Sequence, residues 1–491
     1  MARIAAVIDI GSNSARMAIF KRTSRFGFHL LREVKSRARI SENAYKNGGR
    51  LQQTACDRAI GALKDFAQIA RSCGARKILA VATSAVRDAP NRSEFIGRAR
   101  KECGINIRVI DGKEEALAGG LAALNLLKLT NGVTIDIGGG STEFALIKDG
   151  RIADTVSFNL GTVRLKELFF DERIDQGGAY SFVESAFAAL PDHFRSDRLI
   201  GVGGTLRALS SVLMNSAAYP FDVLHGYEFK LAKHADFFER VIRADESELK
   251  SFGFKTERLD VIRQGVLIFT QAAKRVGAQT AVTSGVGVRE GVFLRDLLRS
   301  NGGRLPNDIQ PSLVSLCDRF VADRKEAAWQ ANCASKLFVA LKDLLPIDEK
   351  HKMPLLTAAR LLSIGDGINP YHPLEEGAAL ARNGLSYGFA HDDRLLIAAL
   401  IESANKKAAG GAAVLPKSSA FKPLLPSEKS LQALALILYL TRAINAAKER
   451  PTIAIEVKGK SVVIGGLSYL AAEALARFKP PFNLELSLFK R

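Results

Sequence analysis

The hydrophobic pattern of the first 300 residues alternates between short apolar runs and longer stretches with helical periodicity. Apolar runs such as AVIDIG and KILAVAT are typical of buried strands, whereas TACDRAIGALKDFAQIARSCG has the apolar spacing of an amphipathic helix. The alternation begins at the N-terminus and begins again at VTIDIGGG. It predicts α/β layers, and its restart predicts two such domains, over residues 1–125 and 126–300.

The pattern changes in the last third of the chain. The segment NGGRLPNDIQPS, residues 301–312, is rich in Gly, Pro and Asn and is typical of a linker. Helical periodicity then dominates, until TIAIEV, SVVIGG and NLELSLF indicate a few closing strands. We therefore expect a third, mainly helical region over residues 301–491 that ends in a small α+β piece.

Composition narrows the class of protein. A chain of 491 residues is too long for one core, and 47% hydrophobic with 25% charged residues is typical of globular proteins. No apolar run reaches the roughly 18 residues of a membrane helix, and the first residues lack a signal-peptide pattern. The five cysteines show no CxxC spacing. We expect reduced thiols, a cytoplasmic protein and no membrane partner.

The formal net charge of +19 favours a polyanionic partner. Nucleic acid, anionic lipid and a polyphosphorylated substrate all have the required charge. The sequence contains no zinc-finger spacing and no RNA-binding aromatic motif, so we expect no specific nucleic-acid binding.

One short motif occurs twice. DIGSNS at residues 9–14 aligns without gaps with DIGGGS at residues 136–141, at an offset of 127 residues (136 minus 9). Such an offset has the length of a small domain and therefore predicts a duplicated domain rather than a solenoid.

Each copy of the motif predicts a phosphate-binding hairpin. Glycine turns let backbone amides converge on an anion, and serine hydroxyls add donors. STEFALIKDG alternates like a strand after the second turn, and no Gly-Lys-Ser/Thr is present, which disfavours a P-loop or a dinucleotide site. The alternative is two ordinary glycine-containing hairpins. The candidate phosphate ligands are Gly11, Ser12, Asn13, Ser14, Gly138, Gly139, Gly140 and Ser141.

The strands that follow the two turns differ in charge. Arg16 lies in the first copy and Glu143 in the second, each two residues from a serine and thus on the same strand face as that serine. If the domains face each other, Arg16 offers a cation for phosphate. Asp136 and Glu143 offer carboxylates for a divalent ion or a water molecule.

Seven motifs in order resemble the exopolyphosphatase/guanosine pentaphosphate phosphatase (Ppx/GppA) family of the actin, Hsp70 and sugar kinase superfamily. They are DIGSNSAR, TSAVRDAPN, GKEEA, DIGGGSTE, GTVRL, GVGGT and SGVGVREG, between residues 9 and 291. The resemblance implies duplicated actin/Hsp70-like (ribonuclease H-like) α/β domains flanking a cleft.

The resemblance also implies roles for individual residues. Glu115 in GKEEA would orient or deprotonate the attacking water, and its neighbour Glu114 is the alternative, although a carboxylate there also suits the helix dipole. Asp136 and Glu143 would be catalytic and would bind Mg2+ (Mn2+ being the alternative), with Asp9 as a further metal ligand.

Other residues would contact phosphate. The implied ligands are Arg16, Arg87 and the turn Gly203, Gly204 and Thr205, because guanidinium groups match phosphate oxygens and the turn resembles the family's third phosphate loop. A surface ion pair with Asp88 is the alternative for Arg87. The family also implies K+ as a monovalent ion and a homodimer.

Long family members carry an HD-hydrolase-like helical domain after the second α/β domain. AARLLSIGDG, residues 358–367, fits that framework, but Leu362 and Ser363 stand where the family has a metal-binding histidine and an acid. Neither side chain is a good ligand for a transition metal. We therefore expect an HD-like region with a degenerate metal motif, which extends the binding channel or supports dimerisation.

The expected function is that of an exopolyphosphatase, which hydrolyses the terminal phosphate of inorganic polyphosphate by metal-assisted attack of water. The alternative within this chemistry is a guanosine pentaphosphate 5′-phosphohydrolase. Two alternatives of other classes are an actin-like ATPase or kinase and a non-catalytic polyphosphate-binding protein. Arg16 and the EEA motif disfavour the kinase, and the intact carboxylates disfavour the binding protein.

Overall fold

The structure, a computed structural model, describes residues 3–171, 175–410 and 419–490. The chain forms two compact units. The first runs to Arg22 and resumes over Phe28–Ile309, and the second combines Thr23–Gly27 with the chain from Gln310 onwards. The change at residue 309 falls inside the Gly/Pro/Asn-rich segment 301–312.

The first unit begins with a five-stranded sheet in the order β3-β2-β1-β4-β5, which we call the first lobe. β1, β2 and β3 are antiparallel, and β4 and β5 run parallel to β1. The strands are β1 Ile4–Ile10, β2 Ala15–Arg22, β3 Phe28–Ser36, β4 Lys77–Ala82 and β5 Ile107–Val109.

The second lobe repeats this topology in a six-stranded sheet with the order β10-β11-β9-β6-β7-β8. β6, β7 and β8 are antiparallel, β9 and β11 continue the sheet in parallel, and β10 is an antiparallel edge strand. The strands are β6 Gly132–Ile137, β7 Thr142–Lys148, β8 Arg151–Phe158, β9 Arg198–Val202, β10 Glu228–Lys230 and β11 Thr280–Thr283. Two sheets of the same order and direction confirm the predicted duplicated α/β fold.

Helices cover both sheets of the first unit. The amphipathic pattern at residues 54–74 forms α1, whose buried face carries Ile60, Leu63 and Phe66. In chain order the helices are α1 Gln53–Ser72, α2 Ser84–Arg87, α3 Arg92–Arg98, α4 Gly112–Leu126, α5 Thr162–Phe169, α6 Gln176–Ala188, α7 Gly203–Ser216, α8 Ala235–Arg243, α9 Glu246–Ser251, α10 Ile262–Val276 and α11 Val288–Leu297.

Helices α4 and α11 pack against each other, and each covers the sheet to which the strand directly before it does not belong. α4 lies on β7 and β8, and α11 lies on β1 and β2. Phe293 of α11 stacks on Phe20 with ring centroids 4.4 Å apart and meets Phe28 edge-on at 5.0 Å. The domain boundary at residue 125 stays a prediction, and the sheet that α4 covers did not follow from the apolar pattern of this helix.

The second unit is mainly helical and ends in a three-stranded sheet, as predicted. β12 Ala454–Lys458 and β13 Ser461–Leu467 are antiparallel, and β14 Glu485–Lys490 runs parallel to β13. The helices are α12 Pro311–Phe320, α13 Arg324–Leu341, α14 Lys352–Arg360, α15 Pro373–Gly384, α16 His391–Glu402, α17 Lys406–Ala409, α18 Glu428–Ile444 and α19 Tyr469–Ala476.

The structure also gives the surroundings of Leu362 and of the five cysteines. Leu362, at the position of the family's metal-binding histidine, is 4% exposed and belongs to the apolar core of the second unit. All five cysteines are free thiols, and Cys73 and Cys317 are only partly buried. In the part of the chain that the structure describes, every helix is too short or too polar to cross a bilayer.

The crossing of α4 and α11 depends on Gly291. A β-carbon at this position would clash with the backbone carbonyl group of Ala118 on α4. Backbone atoms cannot move aside as a flexible side chain can, so the two helices approach this closely only because residue 291 has no side chain.

We expect Gly291→Ala to destabilise the protein by about 1–3 kcal/mol, because overpacking displaces one helix from the other. A lower melting temperature in scanning calorimetry would report this loss. Gly61→Ala is the matched control, because Gly61 is exposed on α1 and a β-carbon there meets no atom within 4 Å. That variant should melt at or above the wild-type temperature, since Ala has the higher helix propensity. Equal melting of the two variants would contradict the expectation.

Candidate active site

The two glycine loops have the same backbone conformation at equivalent places in the two sheets. The amide of Gly11 donates to the carbonyl of Ser14 at 3.2 Å, and the amide of Gly138 donates to the carbonyl of Ser141 at 2.9 Å. The first loop joins β1 to β2 and the second joins β6 to β7. The repeated motif therefore forms a repeated structure.

The carbonyl groups of both loops are hydrogen-bonded to neighbouring segments. The amides of Ser41 and Arg39 donate to the carbonyls of Ser12 and Asn13, each at 3.2 Å. In the second loop, the carbonyl of Gly138 accepts from the first turn of α5 at 2.9 Å. With their carbonyls occupied, the loops can present amide donors to a bound anion.

The two loops meet directly between the lobes. A β-carbon on Gly139 would lie 2.8 Å from the β-carbon of Ser12, and one on Gly161 would clash with the backbone of Gly139. Glycine at these positions therefore permits the close approach. Ser12 is itself fixed by a 3.1 Å hydrogen bond between its Oγ and that of Ser84.

A third set of amides comes from the N-terminus of α7. This helix begins at Gly203 directly after β9, and Gly203, Gly204 and Thr205 line the same cleft as the two loops. Gly203 has a φ of +84°, and a side chain there would collide with the carboxylate of Asp136. Helix N-termini bind phosphate groups through free amides and the helix dipole.

Charged side chains dominate the cleft between the lobes. Among the described residues, seven cations and four carboxylates line it, so positive charge exceeds negative charge. The cations are Arg16, Lys35, Arg37, Arg39, Arg207, Arg258 and Arg289, and the carboxylates are Asp9, Glu115, Asp136 and Glu257. The cleft is suited to a ligand with several negative charges.

Most of these cations were missed in the sequence analysis. Lys35, Arg37 and Arg39 form a period-two basic run in KSRAR, and Lys35 lies opposite Arg16 in the sheet. That run was a usable signal. Arg207 and Arg258 lie on separate segments of the second lobe and gave no sequence signal of their own.

Arg289 lies in the motif SGVGVREG, at the start of α11. It lines the cleft at 4% exposure, and its Nη1 donates to the Oε1 of Glu33 at 2.6 Å. The residue thus has a structural ion pair and also faces the cleft.

Burial and neighbouring positive charge lower the pKa of two cations of the cleft, Arg207 and Lys35. Burial, together with Arg16 and Arg289, lowers the pKa of Arg207 to about 10. Burial, together with Arg16 and Arg258, lowers the pKa of Lys35 to about 8. A bound polyanion would stabilise the charged forms of Arg207 and Lys35 and would thereby raise their pKa values again.

Four carboxylates gather at the ends of β1 and β6. Burial raises the pKa of Asp9 to about 6 although Arg289 and Arg16 oppose the shift, and burial together with Asp136 raises that of Glu143 to about 8. Burial also raises the pKa of Asp136. Burial, followed by the charges of Glu143, Asp9 and Asp136, raises the pKa of Glu115 well above its ordinary value.

The register of the two hairpins gives the carboxylates of the two lobes different cross-strand partners. Asp9 pairs with Arg16 across β1 and β2, whereas the equivalent Asp136 pairs with Glu143 across β6 and β7. Glu143 does not line the cleft but is 1% exposed beside it, and its Oε1 accepts from the Oγ of Ser157 at 2.8 Å.

Two carboxylate oxygens of this cluster are buried without a hydrogen-bond partner, Asp9 Oδ1 and Glu143 Oε2. Burying an unpaired polar oxygen is unfavourable. A cation or a water molecule would satisfy both.

The two candidate glutamates of GKEEA lie in the first turn of α4 but face different surroundings. Glu115 is 8% exposed and lines the cleft. Glu114 accepts hydrogen bonds from Arg108 at 3.1 Å and from Arg295 at 3.2 Å, and it does not line the cleft. The geometry favours Glu115 for chemistry and Glu114 for a surface ion pair.

Arg87 lies beside the cleft rather than in its wall. Its Nη1 donates to the Oε2 of Glu115 at 3.4 Å, and its Nε donates to the Oδ1 of Asp88 at 3.3 Å. The ion pair with Asp88 therefore coexists with a contact to the candidate water-activating residue.

Of the sequence-predicted site residues, most line one cleft and four lie just outside its wall. Those in the wall are Asp9, Gly11, Ser12, Asn13, Ser14, Arg16, Glu115, Asp136, Gly138, Gly139, Gly203, Gly204 and Thr205. Those outside it are Arg87, Gly140, Ser141 and Glu143.

Comparison with known proteins gives a family and several similar structures. The family model described as the Ppx/GppA phosphatase family matches residues 18–300. A crystal structure of the Aquifex aeolicus member of the Ppx/GppA family is 27% identical, covers 61% of this chain and 99% of its own, and has a TM-score of 0.53. A second Aquifex aeolicus structure, of a PPX-GPPA enzyme, is 26% identical over 60% of this chain and 99% of its own, with a TM-score of 0.51.

A third structure, of an exopolyphosphatase from Cytophaga hutchinsonii ATCC 33406, is 24% identical. It covers 60% of this chain and 97% of its own with a TM-score of 0.56, and at this identity it shows the shared fold alone. The family match spans more than half of the chain, and it runs from within β2 of the first lobe to the end of the second lobe, including the second glycine loop. On these grounds the chain belongs to the Ppx/GppA phosphatase family.

Proposed function

We propose that this protein is an exopolyphosphatase that removes orthophosphate from the end of inorganic polyphosphate. The observation that carries the proposal is the cleft, in which two glycine loops, a helix N-terminus and seven cations surround a cluster of buried carboxylates. Such a site can hold several consecutive phosphates and still leave acid groups for chemistry at one of them.

The lining of the cleft favours an inorganic chain over a nucleotide. Among the described residues in its wall, the apolar side chains are Ile137, Val202 and Val288, and none is aromatic. A guanine base would therefore meet mainly glycines and polar or charged side chains in this wall. Guanosine pentaphosphate remains the second candidate substrate, because its phosphates would meet the same cations.

The proposed reaction is a direct displacement by water. The water oxygen attacks the terminal phosphorus, the bridging P–O bond breaks, and the shortened chain leaves. Glu115 accepts the proton of the attacking water, and burial together with the charges of Glu143, Asp9 and Asp136, by raising its pKa, makes this carboxylate a stronger base. Arg87, which contacts Glu115 at 3.4 Å, places positive charge next to that carboxylate.

A divalent cation such as Mg²⁺ fits the carboxylate cluster. Asp9 and Glu143 each have a buried oxygen without a hydrogen-bond partner, and burial raises the pKa of Asp136, so a bound cation would stabilise the charged forms of these carboxylates. In the described residues, no three acidic, histidine or cysteine side chains form a complete metal site. Mg²⁺ does not require such a group, because the ion often binds one or two carboxylates together with substrate phosphates and water.

The family resemblance gives Asp136, Glu143 and Asp9 as the proposed ligands, of which one or two would bind the ion together with phosphate and water. When bound, the ion would neutralise charge on the terminal phosphate. The proposal also keeps four expectations of the sequence analysis. They are Mn²⁺ as a substitute for Mg²⁺, K⁺ as a second ion, a homodimer and a cytoplasmic location.

The proposed substrate is tested by phosphate release from polyphosphates of several lengths and from guanosine pentaphosphate, with and without a chelator. We expect the larger kcat/KM for polyphosphate and no release in the presence of the chelator. A nucleotide preference of more than about tenfold in kcat/KM would instead identify a guanosine pentaphosphate phosphohydrolase. Release that continues in the chelator would rule out the divalent ion.

Glu115→Gln should lower kcat by about 10²–10⁴-fold, because the amide cannot accept the water proton. Binding of polyphosphate, measured by equilibrium titration, should persist, since the cations are unchanged. Glu114→Gln is the matched control and should stay within about threefold of wild type. Turnover near the wild-type rate in Glu115→Gln would assign water activation to another residue.

Polyphosphate affinity should fall as the pH rises through about 8, because free Lys35 loses its charge there. At a pH about one unit above this pKa, the lost charge of Lys35 lowers the affinity for polyphosphate by at most about tenfold. Lys35→Arg keeps its charge, so its affinity should fall less between pH 7 and pH 9. All affinities are measured in the presence of a chelator. The control variant is Lys101→Arg, because Lys101 is exposed on the surface. The same pH dependence in Lys35→Arg and wild type would exclude Lys35 from the binding surface.

A further inference from the structure

A second basic hollow lies in the first unit, apart from the cleft. Its volume is about 620 Å³, within the range of small-molecule sites. The hairpin turn between β7 and β8, the α4 helix and the chain after α11 form its walls. None of the residues that line it lines the cleft.

The floor of this hollow is aliphatic. Leu117, Leu121 and Leu124 follow one another along α4 at spacings of four and three residues, so they form a continuous stripe on one helix face. Ile152 of β8 extends the stripe. An inorganic anion would gain nothing from these four side chains, whereas an apolar or aromatic group would be removed from water.

The rim of the hollow is cationic. Among its described lining residues are four arginines and no carboxylate, namely Arg151, Arg295, Arg299 and Arg304. Arg295 and Arg299 pair with Glu114 and Asp296 outside the lining, but Arg151 and Arg304 have no acidic partner in the described part of the chain. Guanidinium groups around one hollow match the oxygens of a phosphate group.

The hollow is held in shape by a buried side chain. Asn125 of α4 is 4% exposed, and its Nδ2 donates to the carbonyl of Gly303 at 2.9 Å. Its Oδ1 accepts from the amide of Leu305 at 2.7 Å. These two bonds fix the turn that carries Arg304 against the helix that carries the leucine stripe, so the site requires little ordering on binding.

We propose that this hollow binds a nucleoside diphosphate or triphosphate, with the nucleoside on the leucine stripe and the phosphates among the four arginines. Inorganic polyphosphate fits it less well because it has no apolar part. The proposal does not rest on the function proposed for the cleft, since it concerns binding by other residues.

The two sites share two helices. α4 carries Glu115 in the cleft and the leucine stripe in the hollow, and α11 carries Arg289 in the cleft and Arg295 in the hollow. A nucleotide in the hollow would therefore contact both elements that position groups in the cleft.

Equilibrium dialysis of the full chain with labelled ADP, GDP and pyrophosphate tests the proposal. The buffer contains a chelator to prevent turnover. We expect ADP or GDP to bind with a Kd below about 1 mM and at least about tenfold more tightly than pyrophosphate. Arg151→Gln/Arg304→Gln should weaken nucleotide binding at least about tenfold.

Two double variants serve as controls. Like Arg151→Gln/Arg304→Gln, each removes two positive charges, but at positions outside the hollow. Lys35→Gln/Arg258→Gln alters the cleft, and Arg71→Gln/Arg100→Gln alters exposed helix positions of the first lobe. Both should change nucleotide affinity by less than about threefold. If the hollow variant melts early, Arg151→Gln alone replaces it, because Arg151 is exposed at a strand end.

Three results would overturn the proposal. They are no nucleotide binding below about 1 mM in wild type, loss of binding in the cleft variant but not in the hollow variant, and equal affinity for pyrophosphate and nucleotides. None of these results bears on whether the cleft hydrolyses polyphosphate, so the two proposals can fail separately.

Discussion

The active cleft depends on the contact between two glycine-containing loops. Because Gly139 has no side chain, the second loop reaches Ser12 of the first loop, and the ends of the two sheets come together. That contact brings amides from both lobes, the arginines around Arg16 and the carboxylates around Asp136 into one crevice. Without it, each lobe would carry half of a site.

The duplication explains why the site is both basic and acidic. Equivalent positions across the two hairpins hold an opposite-charge pair, Asp9 with Arg16, and a like-charge pair, Asp136 with Glu143. Burial raises the pKa of Glu143 to about 8, and the nearby Asp136 adds to the shift. A site of this kind is unfavourable for the free protein and becomes favourable with bound cation and phosphate, which agrees with the general placement of perturbed groups at functional sites.

Local features of the site could be predicted from the sequence, and features that depend on the chain path could not. The glycine loops and Glu115 are encoded in short motifs, and the structure places them around one cleft. The basic run that begins at Lys35 was readable as a strand face but was not used. Arg207 and Arg258 are separated by about fifty residues and meet the cleft only through the topology of the second lobe.

In the fold, too, the sequence predicts local features but not those that depend on the path of the chain. The type of many helices and strands follows from periodicity, and the α/β class was predicted correctly. The partner sheet of α4 could not be predicted, since the helix is apolar enough to cover either one and sequence adjacency pointed to the wrong sheet.

The exchange of α4 and α11 has a consequence for any attempt to divide the first unit. A fragment ending at residue 125 would retain α4 without the sheet it covers and would leave Phe20 and Phe28 without the ring of Phe293. The remaining fragment would expose the uncovered faces of β7 and β8. The two halves descend from one repeated pattern, but neither is a self-sufficient folding module, and each would be prone to aggregate unless the other were supplied in trans.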